Sequence, residues 1–240
     1  MIDTNTVIAG VLANLAIAGG AAAQASIGMG LNLFAVPMLA LIDPVFVPGP
    51  VLVHSFLVAS AASYRLRSDI NRDELGISSV GLLAGTAAAA LLLTQLDPAR
   101  LPRLFGLLVL AAVALTAAGY RIALTRRSIA AASATAGVMG TIAGVHGPPI
   151  ALLYQHEKPE RIRSALLPFF AVANFISLVA LAAIGMLGWR QIEASILLLP
   201  GLVVGFISAP WLIRLMSARM IRACILAISA ISGLALVLKT

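Results

Sequence analysis

The sequence predicts an all-α integral membrane protein built as an inverted repeat, each half one broken, re-entrant helical hairpin plus three transmembrane helices. Three observations predict it: an apolar excess too large for an aqueous fold, a series of apolar runs of spanning length, and local motifs that recur at a near-constant offset. Of 240 residues, 61% are hydrophobic and 10% charged, with a mean hydropathy of +1.04. A domain of this length in water has too little interior for that much apolar surface, so lipid is part of its solvent.

The charge balance fits the same reading. Sixteen Lys and Arg stand against nine Asp and Glu, a net charge of +7. Aromatic residues are sparse and no basic surface is interleaved with them, so no nucleic-acid partner is expected. The excess instead reports orientation, because cytoplasmic loops of membrane proteins collect Lys and Arg. Cys224, the single cysteine, can form no intramolecular disulfide. No Cys/His cluster offers a metal site, and no cofactor is expected. Met1-Ile2-Asp3 lacks the basic start of a signal peptide, so the chain is expected to be mature from its first residue.

Spanning takes roughly 17–25 apolar residues. Candidate spans run over Val51–Tyr64, Leu75–Leu96, Leu104–Tyr120, Leu166–Leu187, Ile192–Ile213 and Ala223–Leu238. Pro37, Pro168, Pro200 and Pro210 are expected to kink helices. Two further apolar stretches do not fit single helices. Thr6–Ile42 is too long and is interrupted at Gly28-Met29-Gly30. Ile129–Tyr154 is too short for two spans and is interrupted at Gly144-Val145-His146-Gly147-Pro148-Pro149. Glycine and proline weaken helix there, and each stretch is expected to be a re-entrant hairpin.

The halves repeat. Gly28 aligns with Gly144, the run at Pro98–Arg103 with that at Ser217–Arg222, and Gly81/Gly85 with Gly201/Gly205, at offsets of 116, 119 and 120 positions (28 to 144, 98 to 217, 81 to 201). The two repeats are residues 1–121 and 122–240. A hairpin plus three spans is an odd count of crossings, so the second half is expected to be inverted. With the loop at Arg65, Arg67 and Arg72 inside, twelve of the sixteen basic residues, Arg121 among them, fall inside. Arg100, Arg103, Arg190 and Lys239 fall outside, and both termini are extracytoplasmic.

No GxxxxGK[ST] phosphate loop is present, so ATP does not drive this chain directly. All nine carboxylates fall in loops or near span ends. That speaks against a cation site in the membrane. No catalytic arrangement stands out, and no enzyme is expected. What remains is the breaks. A helix that starts inside the membrane directs free N–H groups and a positive dipole end into the protein. Glycine lets a ligand approach the backbone. Two such starts facing each other would make an anion site from backbone alone. The candidate substrate residues are Gly28, Gly30, Gly144, Gly147, Pro148 and Pro149 at the breaks, with Gln24 and Asn32 beside the first and His146 at the second. His146 is also the candidate for a coupled proton, since histidine titrates near neutrality. His54 and Asn174, polar residues inside spans, complete the set. Several alternatives stay open. The glycines could serve helix packing alone, His146 and His54 could be neutral and bonded to carbonyls, and the protein could be a scaffold without a substrate or an anion channel.

At the breaks the sequence resembles the sulfite exporter TauE/SafE family of membrane permeases, among them 4-toluene sulfonate uptake permeases. The resemblance rests on Gly144-Val145-His146-Gly147-Pro148-Pro149-Ile150-Ala151-Leu152-Leu153-Tyr154-Gln155, followed by Arg163 and Phe169-Phe170. The first copy, Gly28-Met29-Gly30-Leu31-Asn32 with Pro37, is degenerate. The resemblance implies secondary transport of sulfite, sulfonates or similar small anions, coupled to an ion gradient, in the inner membrane of a bacterium. A homodimer is compatible with it.

Overall fold

Hydrocarbon offers a peptide group no hydrogen bonds, so an apolar run that crosses a membrane must satisfy its own backbone as helix. The computed structural model describes residues 4–119 and 122–239. The expectations that involve Met1–Asp3, the span end at Tyr120 and the charge of Arg121 lie outside the described residues, as does the side chain of Lys239. The described residues form α1 (Thr4–Ile27), α2 (Leu31–Ile42), α3 (Gly49–Tyr64), α4 (Arg72–Leu93), α5 (Leu101–Ala118), α6 (Arg126–Ala143), α7 (Gly147–Tyr154), α8 (Pro159–Ala183), α9 (Trp189–Leu197), α10 (Leu199–Leu215) and α11 (Ala218–Lys239). Short 3-10 turns precede α3 and α5. Six helices are long and apolar enough to cross, α1, α3 with its turn, α4, α5, α8 and α11; α9 and α10 together add a bent seventh.

Both interruptions fall where the glycines are. Gly28 (φ +83°) and Gly30 (φ +120°) separate α1 from α2, and Gly144 (φ +78°) closes α6 before α7. Side chains rarely tolerate that region of backbone space. The first hairpin nevertheless departs from the expected half-depth shape. Its break divides the stretch unequally, and α1, apolar over Val7–Ile27, is long enough to cross by itself. A Cβ placed on Gly28 would lie 3.2 Å from Cγ of Arg163, so this tip sits beside the charged start of α8. The second hairpin has shorter arms, and neither α6 nor α7 has the length and hydropathy of a crossing helix.

The helices pack α4 against α6, α1 against α10, α3 against α8 and α5 against α11. Glycine makes the first two contacts. A Cβ on Gly81 or Gly85 would overlap the carbonyls of Ala130 and Ala134; on Gly201 or Gly205 it would overlap those of Asn14 and Ala18. Backbones thus touch along α4–α6 and α1–α10, as small residues permit between membrane helices.

The expected single span Ile192–Ile213 is instead bent by 42° between α9 and α10. Pro200 has no N–H to offer the preceding turn. Asn14 of α1 then enters the ladder. Its Nδ2 donates to the Leu197 carbonyl (3.0 Å), and its Oδ1 accepts from the Gly201 N–H (2.7 Å). Leu197 and Gly201 are the pair a straight helix would bond to each other, and an inserted side chain is a recognised cause of a kink. The facing residue in the other glycine contact is Ala130, which has nothing to insert, and α4 is continuous over Arg72–Leu93. Asn14→Leu should therefore lower stability by roughly 1–2 kcal/mol. Thermal unfolding in detergent checks this, and an unchanged midpoint would mean the insertion carries nothing.

Candidate functional site

The start of α2 and the start of α7 face a common cavity of about 30 Å³. Its apolar walls include Met29, Leu33, Phe170 and Ile225; its polar lining is Gln24, Asn32, Ser55, Thr116 and Arg222, with backbone from Gly30 and Gly147. A second void of about 60 Å³ shares Met29, Thr116, Pro148 and Arg222 with it and reaches Gln155 and Ile162, both partly exposed at the α7–α8 junction. The first space has room for about one or two waters in this conformation.

The two helix starts contribute unequally. In α2 the first intrahelical bond is Phe34 N–H to Gly30 carbonyl (2.9 Å), and no side chain caps the turn. The N–H groups of Leu31, Asn32 and Leu33 are therefore the orphan donors of that helix. In α7, Pro148 and Pro149 occupy the first turn and have no N–H, so Gly147 is its one early donor. The proline pair that marks this tip as a helix start also removes most of its capacity to bind an anion through backbone.

Asn32 ties the breaks together. Its Nδ2 donates to the Gly144 carbonyl at 2.5 Å, while its buried Oδ1 has no partner. Gly144 is the C-cap of α6, so its carbonyl has no helical donor to meet. Gln24 and Asn174 converge on Ser55. Gln24 Nε2 donates to the Ser55 carbonyl (3.3 Å), Ser55 Oγ to Gln24 Oε1 (3.3 Å), and Asn174 Nδ2 to Ser55 Oγ (2.9 Å). This knot joins α1, α3 and α8 beside the cavity.

Of the residues singled out in the sequence, Gln24, Gly30, Asn32, Gly147 and Pro148 line the cavity. Gly28, Gly144, Pro149, His54, Asn174 and His146 do not. His54 is fully buried, with Nδ1 2.7 Å from the Pro50 carbonyl in its own helix. The His146 ring lies so close to Gly140 that any Cβ there would overlap it. Its Nε2 is 3.0 Å from Ser177 Oγ, Ser177 is 2.8 Å from Thr141, and Thr141 donates to Thr86 (3.2 Å). A chain of hydroxyls thus runs from the second tip through α8 and α6 to α4. His146 Nδ1 is buried without a partner.

Sequence reasoning missed Ser55, Thr116 and Arg222 as lining residues. Arg222 was visible as the partner of Arg103 in the repeated motif, but it counted there as a loop charge. It also missed a clamp at the loop end of α7. There Arg161 Nη2 pairs with Glu74 Oε1 (2.5 Å) and Tyr154 donates to Glu74 Oε2 (2.8 Å). Burial first, and then the Glu74 carboxylate, push the Tyr154 phenol above its ordinary value, so the hydroxyl remains a donor.

Gly140→Ala should cost roughly 1–3 kcal/mol, because the new methyl displaces the His146 ring and its bond to Ser177. A variant that unfolds at the parent temperature would show that the ring is not held there.

Comparison with curated proteins and with solved structures returns no match. The model of the family described as Sulfite exporter TauE/SafE matches residues 12–236, both breaks and the cavity between them included, and the chain belongs to this family of membrane transporters.

Proposed function

We propose that the protein moves a small organic or sulfur-containing anion, such as sulfite or a sulfonate, by gradient-driven secondary transport with alternating access. The anion binds between the two helix breaks. The observation that carries this reading is the uncapped start of α2, which stands with Gly30, Asn32 and Leu33 at a cavity lined, among the described residues, by a guanidinium and by no carboxylate. Asn32, Gln24 and Ser55 add side-chain bonds, and Gly147 adds a backbone donor from the other half.

The moving parts are the two halves, residues 1–121 and 122–240, as an inverted repeat. Its support is the exchange of roles in packing: α4 lies on α6 as α10 lies on α1, with Gly81 and Gly85 over Ala130 and Ala134 and Gly201 and Gly205 over Asn14 and Ala18. Both termini are extracytoplasmic in this arrangement, in the inner membrane of a bacterium, as the basic residues and the family resemblance suggest. The void that reaches Gln155 and Ile162 then opens to the cytoplasmic side, while the Gln24–Ser55–Asn174 knot closes the other. His146, joined through hydroxyls to Thr86 in the opposite half, is the proton-linked element.

Proteoliposomes test this. Labelled sulfite and a short alkanesulfonate should enter saturably, faster with a proton gradient, and His146→Ala should lose the gradient dependence. Absence of uptake of both anions by folded protein would remove the transport assignment for this substrate class. Gradient dependence retained in His146→Ala would remove the histidine's role.

A further inference from the structure

Among the described residues Arg222 is the one charged side chain lining either of the two voids, and it lines both. It extends from the first turns of α11 and is partly buried. Its Nη2 donates to the Thr116 carbonyl at 2.8 Å. Thr116 lies in the last turn of α5, where carbonyls lack helical donors and the dipole end is negative. One arm of the guanidinium is thereby fixed to the protein. A guanidinium has five N–H donors in a rigid fork, and a single bond to Thr116 leaves most of them unused. Among the described residues the one ion pair is Arg161 with Glu74, so no carboxylate neutralises Arg222. Around it stand Met29, Leu33, Phe170, Ile225 and Leu226, apolar walls that focus the field of a single charge. An arginine placed for stability alone would be expected to have a counter-ion or full hydration; this one has a tether on one side and a cavity on the other.

We propose that Arg222 is the charge-selecting residue of the transporter, holding the oxyanion head of the substrate at the neck between the outer void and the start of α2. This rests on the anion-transport reading and adds to it the group that reads charge. The planar fork suits two oxygens of one sulfite, sulfonate or carboxylate head. The substrate then passes from a side-chain cation to the backbone donors of Leu31, Asn32 and Leu33 without leaving a positive environment. Neutral analogues have nothing to meet at the neck.

The experiment compares the full-length parent, Arg222→Gln and Arg222→Lys in two assays. The first is sulfite uptake into proteoliposomes; the second is thermal stabilisation of detergent-solubilised protein by sulfite and by ethanesulfonate. Arg222→Gln should raise the KM for sulfite roughly 10- to 100-fold with a much smaller change in maximal rate, and lose stabilisation by both anions. Arg222→Lys keeps the charge and loses the fork, so it should recover part of the affinity. Unliganded melting midpoints close to the parent establish that the variants fold. A parental KM and parental stabilisation in Arg222→Gln would overturn the proposal. A parent stabilised by sulfite in an Arg222-dependent way, yet inactive in uptake, would support the anion site while overturning transport. A parent that neither transports nor is stabilised by either anion would overturn both.

Discussion

A carbonyl released inside a membrane has to find a donor from the protein, because the lipid has none. Much of the organisation here follows from that requirement. Pro37 removes the N–H that would have met the Leu33 carbonyl, and Ser229 of α11 donates to it at 2.6 Å. The end of α6 exposes the Gly144 carbonyl, and Asn32 answers at 2.5 Å. The break before Pro200 frees Leu197, and Asn14 answers from α1. The last turn of α5 exposes Thr116, and Arg222 answers from α11. In each case the donor comes from another helix, so satisfying a broken ladder also fixes one helix against its neighbour. Breaks that would weaken an isolated helix become the points at which the bundle is joined.

The same requirement explains why polar residues concentrate around the cavity. Gln24, Asn32, Ser55, Asn174, His146 and Ser177 are all buried. Three of them still carry unused capacity, at Asn32 Oδ1, Asn174 Oδ1 and His146 Nδ1. The remaining capacity belongs to backbone N–H groups at the start of α2 and to the guanidinium of Arg222. Both kinds of capacity are thus left near the cavity, amide oxygens that accept and, at the start of α2 and on Arg222, groups that donate.

The crossing helices were legible because lipid imposes length and hydropathy on them, and those are properties of composition. The two breaks were legible because glycine in an apolar run has a specific backbone meaning, and Gly28, Gly30 and Gly144 take the left-handed conformation. The depth of the first hairpin was not legible. A break at Gly28 divides Thr6–Ile42 unequally, but both sides are apolar, and nothing in composition separates an arm that turns back from one long enough to cross, as α1 is. The bend between α9 and α10 was only half legible. Pro200 announces a weak point, but the residue that opens the ladder, Asn14, is 183 positions from Leu197. Of the candidate site, five residues reach the cavity, all near the breaks. Arg222 was hidden because its neighbours in sequence are basic too, and only the fold separates a charge at a neck from a charge in a loop.

The repeated motifs also conceal a division of labour. Gly28-Met29-Gly30-Leu31-Asn32 departs from the second motif by lacking its prolines, and that departure matters chemically. A first turn of Leu31, Asn32 and Leu33 keeps three N–H groups, whereas Gly147-Pro148-Pro149 keeps one. The degenerate copy thus keeps more backbone donors, and the well-formed copy is the stiffer wall, its φ angles fixed by proline. The same inequality appears at the two glycine contacts, where Asn14 faces Gly201 and Ala130 faces Gly81, with α9–α10 bent and α4 continuous. If the halves rock about a shared site, one holds the charge and the other supplies a rigid surface to move against.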